Sequence, residues 1–271
     1  MKKVLATILA LVMALALCSV SWADATEVKT EVELTAAVSN GGEIKLTENI
    51  TLTSTLNLAK DVIIDGQGKY TIKAVDNFTS GSDNKTACVL YVSATVTLKD
   101  VTVNGNEKCR VIFCDKGKLT IDGATITNGK APNFIGGVYM TSSASFEMNS
   151  GSIVGNKNVE NYQDDNYLQY SSDLWIGANA TGALTAINGG TIGNVFVNSN
   201  AYSANNPGSF TMTGGTISGN TATENGGGVY VATNQSSRDT KMITVGGNAK
   251  ITDNTGSNTE GILFTHKESI A

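Results

Sequence analysis

The apolar and polar positions along this chain form a degenerate repeat of two short strands joined by a turn. Each strand has a few residues rich in β-branched side chains, and the turns consist of Gly, Asn or Asp. The copies are FTMTGGTISGN (210–220), LTIDGATITNG (119–129), FEMNSGSIVGN (146–156), LTAINGGTIGN (184–194) and ITVGGNAKITDN (243–254). One such unit cannot bury its apolar side alone, so the copies are expected to stack as a solenoid.

A third short strand completes each unit, and one aliphatic position in the last strand marks the period. This position recurs at intervals of 23, 27 and 25 residues, or of 39 and 34 residues where a loop is inserted. The recurring residues are Val103, Ile126, Ile153, Ile192, Ile217 and Ile251. The short intervals suit one turn of a three-sided parallel β-helix. The sequence therefore predicts an all-β fold of about seven turns, roughly 35 Å long.

Asparagines recur just after the marker position, at nearly equivalent places in successive units. They are Asn106, Asn156, Asn194, Asn220 and Asn254. Because an Asn side chain can hydrogen-bond the backbone of an adjacent turn, we interpret these residues as a structural ladder rather than a row of ligand contacts.

The N-terminal part of the chain differs from the repeats. Residues 1–23 resemble a secretory leader, with Lys2 and Lys3 ahead of an apolar run that is short for a membrane span. The segment 24–60 is predicted to form a cap and the first coil, with one helix from Glu31 to Val38 that stops at Asn40-Gly41-Gly42. Repeats are expected over 61–261 and an atypical tail over 262–271. The predicted location is secreted or cell-surface, without a membrane span in the mature chain.

Charge and cysteine usage exclude several classes of function. Removing the leader leaves 17 basic and 24 acidic residues, a net charge of −7, which disfavours binding to nucleic acid. The remaining cysteines are Cys88, Cys109 and Cys114, an odd number that does not suggest a disulfide framework. Their spacing fits no zinc pattern, and the single His266 is far away. The sequence predicts no cofactor.

The segments GGGVYV (226–231), FTMTGGTISGN and FEMNSGSIVGN resemble right-handed parallel β-helix proteins of the pectate-lyase-like superfamily. Within it they resemble adhesin-like surface repeats of gut bacteria and, more loosely, repeats of polymorphic outer-membrane proteins. The opening 30–68 is similar to the N-terminal caps of such helices. The resemblance implies a right-handed helix with a short capping helix. It leaves the activity open, because this fold hosts lyases, hydrolases and adhesins.

Two enzyme alternatives follow from the resemblance. Pectate lyases of this fold use an Asp-rich calcium site, and Asp65, Asp100 and Asp122 follow strands in three consecutive units. We interpret these three as turn residues, with a calcium row as the alternative. Hydrolases of this fold use paired carboxylates, and the adjacent pair here is Asp164-Asp165. We interpret that pair as a solvated loop, with catalysis as the alternative.

The longest repeat contains the most distinctive cluster of side chains, in and after NYQDDNYLQY (161–170). Aromatic faces stack on sugar rings, and carboxylates bind sugar hydroxyls. The predicted ligand-binding residues are Tyr162, Asp164, Asp165, Tyr167, Tyr170 and Trp175. The alternative is that these aromatic side chains cover the side of the helix.

The sequence therefore predicts an exported, non-enzymatic, adhesin-like β-helix protein that binds carbohydrate through the 161–175 loop, with glycans or a host surface as its partner. The alternatives are a polysaccharide lyase or glycoside hydrolase, and a structural spacer. Because the last coil of a β-helix exposes strand edges, self-association through the C-terminal edge is a further expectation.

Overall fold

A computed structural model describes residues 24–83, 85–131, 135–141, 143–158, 173–177, 185–198, 209–220, 227–232, 243–255 and 262–264. In these residues the chain forms a three-sided parallel β-helix that begins with strand β1 (Thr26–Val28) and helix α1 (Glu31–Asn40). The predicted helix is confirmed and extends two residues past Val38.

Eight coils follow the helix. Coils 1 to 4 contain β2 (Gly42–Leu46), β3 (Ile50–Ser54), β4 (Leu56–Leu58), β5 (Val62–Asp65), β6 (Thr71–Thr79), β7 (Cys88–Val92), β8 (Thr95–Lys99), β9 (Thr102–Asn104), β10 (Arg110–Cys114), β11 (Gly117–Asp122), β12 (Thr125–Thr127), β13 (Lys130–Ala131) and β14 (Val138–Met140). Coils 5 to 8 contain β15 (Ala144–Met148), β16 (Ser152–Ile153), β17 (Lys157–Asn158), β18 (Leu174–Ile176), β19 (Thr185–Ile187), β20 (Thr191–Ile192), β21 (Val195–Asn198), β22 (Phe210–Met212), β23 (Thr216–Ser218), β24 (Val229–Ala232), β25 (Ile243–Val245), β26 (Lys250–Thr252) and β27 (Ile262–Phe264).

The three sides of the helix are parallel sheets. Sheet A joins β1 to the first strand of every coil, in the order β1-β2-β5-β8-β11-β15-β19-β22-β25. Sheet B joins β3-β6-β9-β12-β16-β20-β23-β26, and sheet C joins β4-β7-β10-β14-β18-β21-β24-β27. The short strands β13 and β17 pair outside these sheets. At about 4.8 Å per coil the solenoid is roughly 38 Å long.

In-register aliphatic columns fill the interior. The predicted marker residues from Val103 to Ile251 occupy one column on sheet B, paired from coil to coil without a slip. Ile126, Ile153 and Ile192 have no exposed surface. Full burial of one such side chain stabilises the fold by about 1.5–3 kcal/mol relative to exposure. The marker spacing therefore predicts the register of sheet B correctly.

Helix α1 closes the N-terminal end of the solenoid. Thr30 caps it by accepting a hydrogen bond from the Glu33 backbone N–H at 3.2 Å, and Gly41, at φ 85°, ends it. Its buried side, with Leu34 and Val38, packs on β1 to β4.

At the other end, β27 pairs with β24, so sheet C extends into the segment that was expected to be an atypical tail. The inner Ile251 of coil 8 is only partly buried, whereas its counterpart Ile217 is fully buried. Self-association through this edge stays a prediction.

Candidate functional site

An aromatic side chain stands at the same outward position of six successive sheet C strands. These residues, which we name the aromatic column, are Tyr91, Phe113, Tyr139, Trp175, Phe196 and Tyr230. Neighbouring rings are nearly parallel, with interplanar angles of 10–17° and centroids 4.0–6.1 Å apart. Such offset stacking adds favourable contact to the stabilisation gained from burial.

The aromatic column lies on the outward face of sheet C, yet five of its six side chains are buried and the sixth, Tyr139, is partly buried. Trp175 is 2% exposed, Phe196 is fully buried, and both belong to one buried cluster with Ile135 and Tyr230. Arg110 is also buried, with its guanidinium carbon 4.9 Å from the centroid of the Tyr139 ring, and its Nε donates to the Ile135 carbonyl at 3.0 Å. Burial lowers the Arg110 pKa. A guanidinium placed in this way is not accessible to a polysaccharide in solution.

Trp175 does not occupy the position expected of a sugar-stacking residue. Tyr139 covers one face of its ring at 5.5 Å, and Phe196 covers the other at 4.0 Å. Because both faces are occupied, a sugar has no free face of Trp175 on which to stack. The other predicted contacts, Tyr162, Asp164, Asp165, Tyr167 and Tyr170, lie outside the described residues, so the glycan site stays a prediction.

The aspartates of the alternative calcium row do not form one column. Asp65 and Asp122 stand in register on sheet A, but Lys99 lies between them and its Nζ is 2.9 Å from Asp65 Oδ2. Asp100 is one residue further along, in a turn at φ 46°. Within the described ranges, no group of three or more His, Cys, Asp or Glu side chains is placed to hold a metal ion. Asp65 and Asp122 end the strands β5 and β11, only Asp100 lies in a turn, and Asp65 forms an ion pair.

An asparagine ladder runs along the corner between sheets B and C. Asn156 Nδ2 donates to the Ile126 carbonyl at 3.2 Å, and Asn254 Nδ2 donates to the Ile217 carbonyl at 3.0 Å. Asn220 Nδ2 donates to Asn254 Oδ1 at 2.7 Å and to the carbonyl of Gly193. The predicted structural ladder is thus present at Asn156, Asn220 and Asn254.

Asn106 is not part of this ladder. It lies in a left-handed turn at φ 50°, and its Nδ2 donates to Asp76 Oδ1 at 2.9 Å.

One carboxylate, missed by the sequence analysis, interrupts the ladder. Asp173 is 5% exposed and accepts hydrogen bonds from Asn156 Nδ2 at 2.7 Å and from the Asn194 backbone N–H at 3.3 Å. Burial raises its pKa to about 6 despite these hydrogen bonds. Asp173 stands in register with Asn194, at a place where coil 7 has Gly228. The sequence signal that could have revealed Asp173 is an acidic residue at a position where other coils have Asn or Gly.

The three cysteines that remain after the leader are buried. The Cys88, Cys109 and Cys114 thiols are free, and burial raises the pKa of each to about 12. Thiols of such high pKa are poor nucleophiles. The ion pairs connect different coils, as Lys157 and Glu107 do at 2.7 Å.

A cavity of about 390 Å³ lies between α1 and the segment from Leu52 to Lys60. It falls within the size range of small-ligand sites. Its lining combines apolar side chains, hydroxyls and one charge of each sign.

Comparison with the sequence profiles of protein families, with curated proteins and with solved structures finds no match to this chain. Within the described part of the chain, no helix has the length and apolar character needed to span a membrane. The class that the fold defines is therefore a three-sided parallel β-helix protein with an N-terminal helical cap.

Proposed function

We propose that this chain is an exported, adhesin-like β-helix protein without enzymatic activity, which binds carbohydrate through the insertion at residues 159–172. The insertion joins β17 to β18 and leads into sheet C. Its tyrosines offer ring faces for sugars, and Asp164 and Asp165 offer acceptors for sugar hydroxyls.

The observation that supports this proposal is the unequal length of the connections between strands. Connections from sheet A to sheet B contain two to five residues in every coil. Connections into and out of sheet C reach twenty residues, between β16 and β18, and this longest one contains the three tyrosines. In solenoids, insertions accumulate on one side, which is often the binding side.

The test is binding of the secreted protein to an array of plant and host glycans. A variant with Tyr162, Tyr167 and Tyr170 changed to Ala should lose at least about tenfold in affinity, because each stacked ring contributes on the order of 1 kcal/mol. The matched control changes the same residues to Phe, which keeps the ring faces, and should retain most of the binding. If the Ala variant binds like the wild type, this site is wrong.

The enzyme alternative is tested on any polysaccharide that binds. The length of the polysaccharide after incubation distinguishes an enzyme from a binding protein, since only a lyase or hydrolase shortens the polymer. If shortening is seen and is lost in the variant Asp164→Asn/Asp165→Asn, the insertion is catalytic and the adhesin proposal is wrong. A protein that binds no glycan on the array favours the spacer alternative, which the ladders between coils would also serve.

A further inference from the structure

The three sheets end differently beneath α1. Sheet A continues into β1, which pairs with β2. At the edge of sheet B, the Thr53 backbone N–H donates to Glu31 Oε1 of α1 at 2.8 Å. At the edge of sheet C, β4 has β7 on one side and the cavity on the other. Among the described residues, no strand pairs with the other edge of β4, although α1 packs beside it.

The backbone of Asn57 faces this cavity. The Ser93 N–H donates to the Leu58 carbonyl at 3.0 Å, so Leu58 bonds toward β7. Backbone groups of successive strand residues point to opposite sides, and the N–H and C=O of Asn57 therefore point away from β7. Thr55 and Ala59, two positions before and after, also line the cavity. Among the described residues, neither of their backbone N–H groups donates to a backbone carbonyl.

The length of the cavity is set by the helix beside it. The bond from Thr53 places the start of α1, at Glu31, at one end. At the other end, a Cβ built on Gly41 would be 3.4 Å from Cβ of Lys60. A helix of ten residues is about 15 Å long. An extended chain rises about 3.3 Å per residue, so about four residues fit alongside.

The lining suits a peptide with small apolar side chains. Val38, Leu52 and Leu56 are buried and form an apolar floor, and Asn57, which also lines the cavity, is exposed.

The two ends of the cavity carry opposite charges, with the Glu31 carboxylate at the start of α1 and the Lys60 ammonium at its end. Within the described chain, Lys60 forms no ion pair. A peptide parallel to β4, like every other neighbour in sheet C, places its amino terminus near Glu31 and its carboxylate near Lys60.

We propose that the cavity is a strand-addition site, where an extended peptide of about four residues with free termini pairs with the edge of β4. The backbone of Asn57 supplies a donor and an acceptor, the apolar floor takes alternate side chains, and the terminal charges fix the direction. This site is separate from the proposed carbohydrate site, and either one can fail without the other.

The probe is the tetrapeptide Ala-Val-Ala-Val with free termini, added to isotope-labelled full-length secreted protein. Hydrogen exchange at the amides of Thr55, Asn57 and Ala59 should slow at least about tenfold at saturation. The same peptide acetylated and amidated should bind about tenfold more weakly, because both terminal charge contacts are lost. Cellotetraose is added in a parallel experiment as the saccharide probe. The proposal is overturned if no amide is protected at about 10 mM peptide, or if only cellotetraose protects these amides.

Two pairs of variants test the mode of binding. Asn57→Pro removes an N–H that β7 does not use, and proline is tolerated at a strand edge. It should abolish tetrapeptide binding, whereas Asn57→Ala, which keeps the N–H, should bind within about threefold of wild type.

Thr35→Trp should fill the cavity and also abolish binding. Ala36→Trp, on the neighbouring exposed helix position outside the cavity, is its control and should bind normally. The peptide affinities of the four variants are compared between proteins whose urea-unfolding midpoints are equal. Wild-type affinity in Asn57→Pro contradicts pairing with the strand edge.

Discussion

The outward faces of sheets B and C are built from opposite kinds of side chain. On sheet B the in-register outward column consists of hydroxyl residues in coils 2 to 7, Thr71, Thr102, Thr125, Ser152, Thr191 and Thr216, and continues with Lys250 in coil 8. On sheet C the equivalent column is aromatic and, apart from the partly buried Tyr139, buried. Because the coils stack in register, the kind of residue at an outward position recurs from coil to coil. A recurring hydroxyl residue produces a hydrated surface, whereas a recurring aromatic residue produces a second apolar layer.

The two faces also differ in the chain that surrounds them. Only short turns lead from sheet A into sheet B, whereas the long connections all adjoin sheet C. A face of threonines meets water without cost, but a column of aromatic rings gains stability only when it is covered. Insertion length and outward chemistry therefore vary together around this solenoid.

The largest expected effect comes from removing one ring of the aromatic column. Phe196→Ala should lower the free energy of unfolding by about 3–5 kcal/mol, because the ring is fully buried between Trp175 and Tyr230. The control on the other face, Thr216→Ala, should change it by less than about 0.5 kcal/mol. Urea unfolding monitored by circular dichroism gives both values. A loss below about 1 kcal/mol for Phe196→Ala would show that the aromatic column is not a second core.

The sequence was sufficient to predict the interior of this fold. The period of the isoleucines predicted sheet B in register, because inward positions must repeat once per coil to be buried. The aromatic column was missed although the same strands carry it, in VLYV, VIF, GVYM and DLWI. Trp175 was assigned by its proximity to the tyrosines of the insertion, whereas its register with Tyr139 decides its place.

The remaining differences arise where short-range pattern carries little information. Ile262 to Phe264 lacks the glycine turn of the repeat, yet its backbone pairs with β24. Asp173 follows directly on the insertion, where repeats cannot be aligned by eye. One partner, Asn156, precedes the insertion in the same coil, and the other, Asn194, belongs to the next coil. Which residues of neighbouring coils meet depends on the length and the path of each insertion. A single sequence gives the length of an insertion but not its path.

The next effect concerns Asp173, at the corner that leads into sheet C. Its folded pKa of about 6 lies above the ordinary value of 3.8, so the folded protein binds more protons than the unfolded chain between these values. Stability should therefore fall as pH rises from about 4 to about 7, by up to about 3 kcal/mol from this group. Urea unfolding across this range measures the fall.

Asp173→Asn should remove this part of the pH dependence. The introduced side chain keeps a carbonyl oxygen that accepts the hydrogen bond from Asn156. Its NH₂ group, however, faces the Asn194 backbone N–H, so that two donors meet and stability at low pH should decrease slightly. Parallel pH profiles for the variant and the wild type would show that Asp173 does not titrate in this range.

The smallest of these effects tests how tightly that corner is packed compared with a turn between sheets A and B. A Cβ built on Gly193 would lie 1.9 Å from Asp173 Oδ2, so Gly193→Ala should cost about 1–3 kcal/mol through overpacking. Gly246→Ala, in the connection from β25 to β26, has no atom within 4 Å of its added Cβ and should cost little. If the carboxylate causes the clash, Gly193→Ala/Asp173→Ala should lose less stability than the sum of its single variants, in a double-mutant cycle measured by urea unfolding. Strict additivity would mean that the corner relaxes around the new methyl group. The corner that leads into sheet C would then be packed no more tightly than the turns between sheets A and B.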